Sequence, residues 1–373
     1  MVGSSRGYIE VRSLGHGCFG TATLVRNRHR RLCAMKVVDI SSLDEVQKNY
    51  SMNEATVLSS LLHPYIVRFH ESFIESGKLA IVMDYAEGGD LHQRVAGARE
   101  AQRSLPESQV LRWFTQAMLG LKYLHGRHII HRDLKSQNLL LAKRDFLKIG
   151  DFGVAVTTHG RGTFHDDKMV GTPYYLSPEV CTETLYSHGS DIWAMGCVLY
   201  EMVTLHVPFE ASSLPVLVRK IVHGHTPVLP ESISPELRRL GSELLCHDHS
   251  KRPSSADVAQ RPLIQEQIRR LLQDEKVRRA EEAACALPQA AAAALPLVPC
   301  TSTLVRLQQE PWTGIAQRSL DRTASGSHLR PPRRDQTHRT ADTHSLLQRS
   351  GSAVVLPCAG AIPFGCTRLP SGL

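Results

Sequence analysis

Residues 131–153 read HRDLKSQNLLLAKRDFLKIGDFG, and this stretch sets four polar side chains, Asp133, Lys135, Asn138 and Asp151, around an apolar run at Leu139-Leu140-Leu141. The run favours a strand, with Asp133, Lys135 and Asn138 before it and Asp151 ten residues beyond it. A carboxylate at Asp133 can orient and deprotonate an attacking hydroxyl, and the ammonium of Lys135 can offset charge on a transferring phosphoryl group. Asn138 offers an amide oxygen to magnesium, and Asp151, thirteen residues on, offers a carboxylate to the same ion. Magnesium takes hard oxygen ligands and keeps substrate phosphates among them, so one amide and one carboxylate is a sensible protein share. Each piece alone reads equally well as a turn aspartate or a capped helix end. The order and spacing of all four together constrain the chain far more than any one of them.

Two upstream features bear on the same chemistry. Gly15-His16-Gly17-Cys18-Phe19-Gly20 fits G-x-G-x-x-G, with Asp39 about twenty residues further on, as a dinucleotide fingerprint would have it. That fingerprint opens a helix, whereas these glycines lie between two alternating segments, IEVRSL and TATLVRN, that read as strands. A glycine-rich hairpin brings backbone N–H groups close to phosphates without side-chain obstruction. Lys36, inside the apolar run RLCAMKVVDI, costs free energy unless its ammonium meets an anion. Phosphate would serve, with Glu54 as a steadying partner. A lysine that snorkels to solvent is the alternative for that position taken alone.

Strand-like segments dominate the early chain and helices the chain after residue 105, where LRWFTQAMLGLKYLHG places Leu111, Phe114, Met118 and Leu121 on one face. SDIWAMGCVLYEMV is apolar nearly all round, as for a helix buried on every side. Ile264 to Ala280 reads as an amphipathic closing helix carrying Ile264, Ile268, Leu271 and Leu272. Beyond it come ALPQAAAAALPLVP and an aperiodic Ser/Thr/Arg/Pro-rich stretch, read as linker and disordered tail. Residues 286–373 hold nine arginines, no lysine and four acids, so +5 of the chain's net +8 sits there. Such a tail suits an acidic surface, cytoskeletal ones included, or simply stays solvated. With only Trp312 and Phe364 as stacking residues it gives little support to nucleic-acid binding. The nine cysteines form no C-x-x-C pair, no stretch is apolar over the eighteen or so residues that span a bilayer, and MVGSSRGYIEV lacks a secretory apolar core. A cytoplasmic protein with no membrane contact is expected.

Over residues 8–264 the chain resembles eukaryotic-type protein kinases, and among them the NIMA-related serine/threonine kinases. The resemblance rests on IVMDYAEGGDL, HRDLKSQNLLL, GDFGVA, VGTPYYLSPEV and SDIWAMGCVLYEM, and on Ala22, where most kinases place a valine. It implies an α+β, two-lobed protein kinase fold, with a small β-rich lobe and a larger helical one, then a helical extension over 265–285 and the disordered tail from 286. ATP and Mg2+ are the implied cofactors and Ser/Thr hydroxyls of protein substrates the implied acceptors. Catalytic roles fall to Asp133, Lys135, Lys36 and Glu54, and the metal to Asn138 and Asp151. ATP would meet Gly15, His16, Gly17, Cys18, Gly20, Ala22, Ala34, Lys36, Met83, Asp84, Ala86 and Leu140, with Met83 as gatekeeper and Asp84-Tyr85-Ala86 as hinge. Leu58, Phe69, His131 and Phe152 would stack as a spine, Glu179 would pair with Arg252, and Asp191 would brace the backbone at His131-Arg132. Lys135 and the loop from Thr172 resemble serine/threonine rather than tyrosine kinases, and Val154 leans towards threonine acceptors. Cell-cycle, centrosome, basal-body or ciliary work is the associated biology, in cytoplasm or cytoskeleton, with the nucleus left open. A catalytically weak scaffold of the same fold is the rival reading, and the complete set of motif residues argues against it. Substrate, upstream regulator and oligomeric state are not written in the chain.

The segment TFHDDKMVGTPYY departs from the family's habit. Related kinases often carry a phosphorylatable Ser or Thr three residues before the glycine of the GTP motif, where this chain has Lys168, and a basic residue five after the DFG aspartate, where it has Val156. The two departures agree with each other, and one expectation from them is that Asp166 or Asp167 pairs with Arg132 and orders the loop without phosphate. The alternative is a solvated loop tip, since exposed pairs contribute little. Thr163 and Thr172 remain as further acceptor positions, with Thr172 expected to hydrogen-bond near Asp133. Cys18 is expected to be inert and His16 to face solvent.

Overall fold

The computed structural model describes residues 2, 4–17, 20–158, 163–165, 170–183 and 185–286; Cys18, Asp166, Asp167, Lys168 and the chain beyond Ala286 lie outside them. Strands β1 (Ile9–Gly17), β2 (Gly20–Arg26), β3 (Leu32–Asp39), β4 (Phe69–Glu75) and β5 (Lys78–Asp84) form an antiparallel sheet in the order β1-β2-β3-β5-β4. Helix α1 (Glu45–Ser59) crosses between β3 and β4, and the carboxylate of Asp44 caps it by accepting from the Gln47 amide at 2.7 Å. The alternation expected for a half-buried sheet does not hold in its middle. Leu24 and Val25 are both buried, and Leu79 through Val82 are buried in succession. The cause is a second cover: Val2 and Tyr8 pack on the outer face over Val25, Cys33, Met35, Phe73, Ala80 and Val82. A strand covered on both faces loses its polar side.

The helical part follows: α2 (Leu91–Glu100), α3 (Glu107–Gly126), α4 (Pro178–Glu183), α5 (His188–Thr204), α6 (Leu214–His223), α7 (Pro235–Leu244), α8 (Ser255–Gln260) and α9 (Pro262–Ala286). Short ribbons join β6 (Ile129–Ile130) to β9 (Val156–Thr157), β7 (Leu139–Ala142) to β8 (Phe146–Ile149) and β10 (Thr163–His165) to β11 (Leu185–Ser187), all antiparallel. Helices α3 and α5 carry the centre of the core: Trp113, Phe114, Met118 and Leu121 pack in one cluster with Ile192, Trp193, Met195 and Val198. The cluster also takes in Leu58 of α1, Ile81 of β5 and Phe152, with Phe69 against it, so one apolar body links the sheet to the helices. That continuity fixes α1 relative to the turn at His131, whose ring lies 5.0 Å from that of Phe152.

Helix α9 is longer than expected at both ends, with Pro262 at its first position, where a missing N–H costs nothing. Ile264 and Leu271 are buried, but Leu272 is 49% exposed, because consecutive helical residues point roughly 100° apart and the buried stripe is narrow. Among the described residues no helix is long and apolar enough to cross a membrane.

At the start of α5, His188 stacks on His125 with ring centroids 4.2 Å apart, and His125 in turn contacts Asp191 at 3.0 Å and Ser255 at 3.1 Å. Burial, then the neighbouring His125, lowers the pKa of His188 to about 4, and burial lowers that of His63 equally, to about 4. The unfolded chain takes up these protons near the ordinary histidine value while the folded one does not, so stability is full above that value and falls as pH drops towards 4. His188→Asn is expected to shallow the loss of melting temperature between pH 7 and 5, with His63 retaining the rest of the slope. Superimposable melting-temperature profiles for variant and wild type would show that His188 does not titrate this way.

Candidate active site

Between the sheet and the helical part lies a cleft of about 700 Å3. Its roof is the β1–β2 hairpin with Gly15, Gly20 and Ala22 and, on β3, Ala34 and Lys36; its back is Met83-Asp84-Tyr85-Ala86, and its floor carries Leu140, Asp151 and Val154. The hairpin closes with Gly17 opposite Gly20, and Gly20 has φ +151°, where an added Cβ would stand 2.0 Å from the Val37 carbonyl oxygen. Only glycine lets β2 turn that close to β3. The chain leaving β5 is pinned to the floor, since the Gly88 amide donates to the Leu141 carbonyl at 2.7 Å and the Leu141 amide donates to that of Gly89 at 2.8 Å. Asp84 turns its carboxylate away from the cavity to His70, at 3.0 Å, and Lys148, at 3.4 Å. Of Asp84, then, it is the backbone that faces a ligand.

Lys36 on β3 donates to both oxygens of Glu54 on α1, each at 2.8 Å, and to Asp151 at 3.1 Å. Burial would strip the proton from Lys36, but the two carboxylates outweigh it and keep the ammonium charged. Lys36 in turn holds the Asp151 carboxyl down to about 2 against its desolvation, whereas burial raises that of Glu54 in spite of Lys36. The cation is thus fixed between a structural carboxylate and one at the cleft. Asp151 sits at φ 58° and Arg132 at φ 68°, a sparsely used conformation that the surrounding structure must hold in place.

Buried hydrogen bonds tie the turn from His131 to Asn138, the expected catalytic turn, to its neighbours. One Asp133 oxygen accepts from the Thr172 hydroxyl at 2.8 Å, and the other from Lys135 Nζ at 2.8 Å and Asn138 Nδ2 at 3.1 Å. Lys135 also donates to Thr172 at 2.7 Å. Asn138 Nδ2 donates to the Asp133 carbonyl as well, at 2.8 Å, which leaves Oδ1 as its polar atom for a cation. Below them Asp191 accepts from the amides of His131 and Arg132 at 2.9 and 3.0 Å, and His131 Nε2 lies 3.1 Å from the Gly150 carbonyl oxygen. Glu179 and Arg252 form a two-pronged buried pair at 2.7 and 2.8 Å.

The residue types suit a nucleotide triphosphate with magnesium. The cleft has apolar walls for a base, a glycine hairpin whose backbone could approach phosphates, a fixed ammonium, and two hard oxygen donors, Asn138 and Asp151. Among the described residues no three His, Cys, Asp or Glu side chains gather as a metal site, so the ion's remaining ligands would be phosphate and water oxygens. Of the residues named from sequence, Gly15, Gly20, Ala22, Ala34, Lys36, Glu54, Met83, Asp84, Ala86, Asp133, Lys135, Leu140 and Asp151 line this cleft. Asn138 is tied to it through Asp133, whereas Gly17, Arg132, Thr172, Glu179, Asp191 and Arg252 are not in its lining. Cys18, Asp166 and Asp167 lie outside the described residues, and nothing is described of the His16 side chain. Sequence reading missed Arg12, which lines the mouth and donates to the Tyr85 hydroxyl at 3.0 Å, and Asp90 and Gln93, which line the far edge. It also missed Glu201, buried beneath the catalytic turn, which accepts from Tyr175 at 2.7 Å and Ser136 at 2.9 Å.

Residues 8–264 match the protein kinase domain family model. The chain is 41% identical over 266 residues to serine/threonine-protein kinase Nek1 of Mus musculus, covering 71% of this chain and 22% of that protein. It is 39% identical over 272 residues to serine/threonine-protein kinase Nek11 of Homo sapiens, covering 72% of this chain and 42% of that one. It is 39% identical over 266 residues to the probable serine/threonine-protein kinase nek3 of Dictyostelium discoideum, covering 70% and 24%. The matched part thus spans between 22% and 42% of these relatives' lengths.

Proposed function

Because the chain belongs to the protein kinase family, in its NIMA-related serine/threonine branch, we propose that it transfers the γ-phosphoryl group of ATP to Ser or Thr hydroxyls of protein substrates. The observation that carries the reading is the arrangement at Asp133, whose carboxylate is held by three donors, from Thr172, Lys135 and Asn138, at the edge of the cleft that holds Lys36 and Asp151. Asp133 would orient the acceptor hydroxyl and take its proton, and Lys135 and Lys36 would offset charge on the phosphoryl oxygens. Asn138 and Asp151 would hold magnesium, which draws charge from the phosphates when bound. Glu54, buried behind Lys36, keeps the ammonium aimed into the cleft. Positioning and electrostatics supply nearly all of such a reaction, and both are built from side chains already fixed by one another. Lys36, Glu54, Asp133, Asn138 and Asp151 standing together weigh against the scaffold reading. The kinase domain over 8–264, the tail's affinity for acidic or cytoskeletal surfaces, and work in the cell cycle or at centrosomes belong to the same proposal, supported by family resemblance and charge.

The deciding experiment is transfer from γ-labelled ATP to a generic protein substrate, followed by phosphoamino-acid analysis and a parallel nucleotide-binding titration. Label on serine or threonine that depends on magnesium is the expected result. Nucleotide binding with no transfer, on protein that keeps its own phosphates, would replace the kinase reading by the scaffold.

A further inference from the structure

Between Asp151 and Glu179 the chain runs through the segment that must shape the acceptor side of the cleft, and one residue outside that segment touches it twice. Tyr186, on β11, is 1% exposed. Its backbone pairs with Phe164 in the β10–β11 ribbon, so the strand at 163–165 is tied to it. Its hydroxyl reaches the other end of the segment, donating to the Val170 carbonyl at 2.7 Å and accepting from the Val170 amide. The Arg132 guanidinium lies over its ring, 5.1 Å from the centroid. Arg132 also donates from Nε to the Val154 carbonyl at 2.6 Å, near the start of the segment. At Gly171, φ +119°, an added Cβ would stand 2.8 Å from the Arg132 carbonyl oxygen, so the chain leaving Val170 is pressed directly onto the catalytic turn. Thr172, next in line, then reaches Asp133 and Lys135.

Resting on the kinase reading above, we propose that Tyr186 is a positioning residue that locks this segment into its working shape through contacts that need no phosphate. Three separate stretches, 154, 163–165 and 170–172, are referred to the catalytic turn through the Tyr186–Arg132 pair. A buried hydroxyl bonded to both the N–H and the C=O of Val170 holds the two peptide groups that flank its Cα, which a single bond does not. The Arg132 guanidinium over the ring couples Tyr186 to the catalytic turn. The residue types agree with this: the position where relatives carry an acceptor hydroxyl is Lys168, and that of a second phosphate-binding cation is Val156. Tyr186 itself touches no reacting atom, and acts through Val170, Gly171 and Thr172.

The test uses the full chain after phosphatase treatment, as wild type, Tyr186→Phe and Tyr186→Leu. Phenylalanine keeps the ring under Arg132 and removes only the hydroxyl, so it should fold; leucine removes both. Amide hydrogen exchange at 163–165 and at Val170 is expected to quicken by roughly tenfold or more in Tyr186→Phe, since both hydroxyl bonds to Val170 are lost, and further in Tyr186→Leu, while β7 and β8 exchange as in wild type. In transfer assays the Tyr186→Phe variant should raise KM for a peptide substrate and leave KM for ATP unchanged. Wild-type exchange rates at Val170 in Tyr186→Phe would overturn the lock. Loss of transfer by wild type on phosphatase treatment alone would overturn its independence of phosphate. The exchange arm reads the same whether or not any form transfers phosphate, so a failure of the kinase reading would show separately, as silence of every protein in the transfer assay.

Discussion

Asp133→Asn is expected to slow phosphoryl transfer by about 10²–10⁴-fold, the span usually lost with a general base, while ATP binds as tightly as before. The substitution keeps the size and planarity of the side chain. Its amide nitrogen can donate to Thr172, whose oxygen now also receives Lys135, and its oxygen can still accept from Lys135 and Asn138. Packing and position are therefore conserved, and what disappears is the charge and the basic lone pair. Asp133 makes no contact with Lys36, so the phosphate end of the nucleotide should be held as in wild type. Single-turnover transfer and a nucleotide titration on the same samples separate the two effects. A rate within a few fold of wild type would show that Asp133 does not take the proton; a matching loss of ATP affinity would show that it holds the nucleotide instead.

The contrast between Asp133 and Tyr186 shows what the amino-acid sequence discloses and what it hides. Asp133, Lys135, Asn138 and Asp151 stand within one stretch of nineteen residues, and their chemistry depends on spacing that can be read along the chain. Lys36 is legible for another reason: a cation in the middle of an apolar strand demands an anion. Tyr186 has neither signal. It is a tyrosine in LYSHGSD, and its work depends on a hydroxyl meeting the backbone of Val170, which any residue at that position could offer. Glu201 is hidden likewise, standing in the apolar run that follows Asp191 and bonded to Ser136 and Tyr175 from 65 and 26 residues away. Arg12 and Tyr85 meet across 73 residues, with no pattern in either segment to announce it. The sheet's doubled cover escaped for a simpler reason. Period-two reading assumes one wet face, and a short lead-in carrying Val2 and Tyr8 was enough to remove it.

Removing one partner of the Glu179–Arg252 pair should be the most damaging change to stability. The Arg252 side chain is 0% exposed and that of Glu179 5%. Besides its two bonds to Glu179, the guanidinium donates to the carbonyls of Cys246, Gly189 and His247 at 2.7, 2.9 and 3.2 Å, and it lies over the Trp193 ring at 5.0 Å. Burial alone would raise the Glu179 pKa, but the Arg252 hydrogen bonds and charge hold it below the ordinary value. Arg252→Met fills similar space and leaves a buried carboxylate that keeps the Ser190 hydroxyl, at 3.0 Å, but has lost its cation. Breaking a buried pair in this way costs about 3–5 kcal/mol. At roughly 2–4 °C per kcal/mol for a domain of this size, the melting temperature should fall by about 6–20 °C. Glu179→Leu/Arg252→Met removes both charges together and should recover part of the loss, since no unpaired ion remains. A thermal melt of wild type, the single variant and the double variant decides it. If Arg252→Met melts within a degree or two of wild type, water reaches the site and the pair is not a buried one. If the double variant is no better than the single, the three carbonyls and the Trp193 face, rather than the stranded charge, are what Arg252 serves. In either case Glu179 opens the helix that follows Thr172 and Tyr175, so any local loosening there should be felt as a weaker grip on the protein substrate before the domain unfolds.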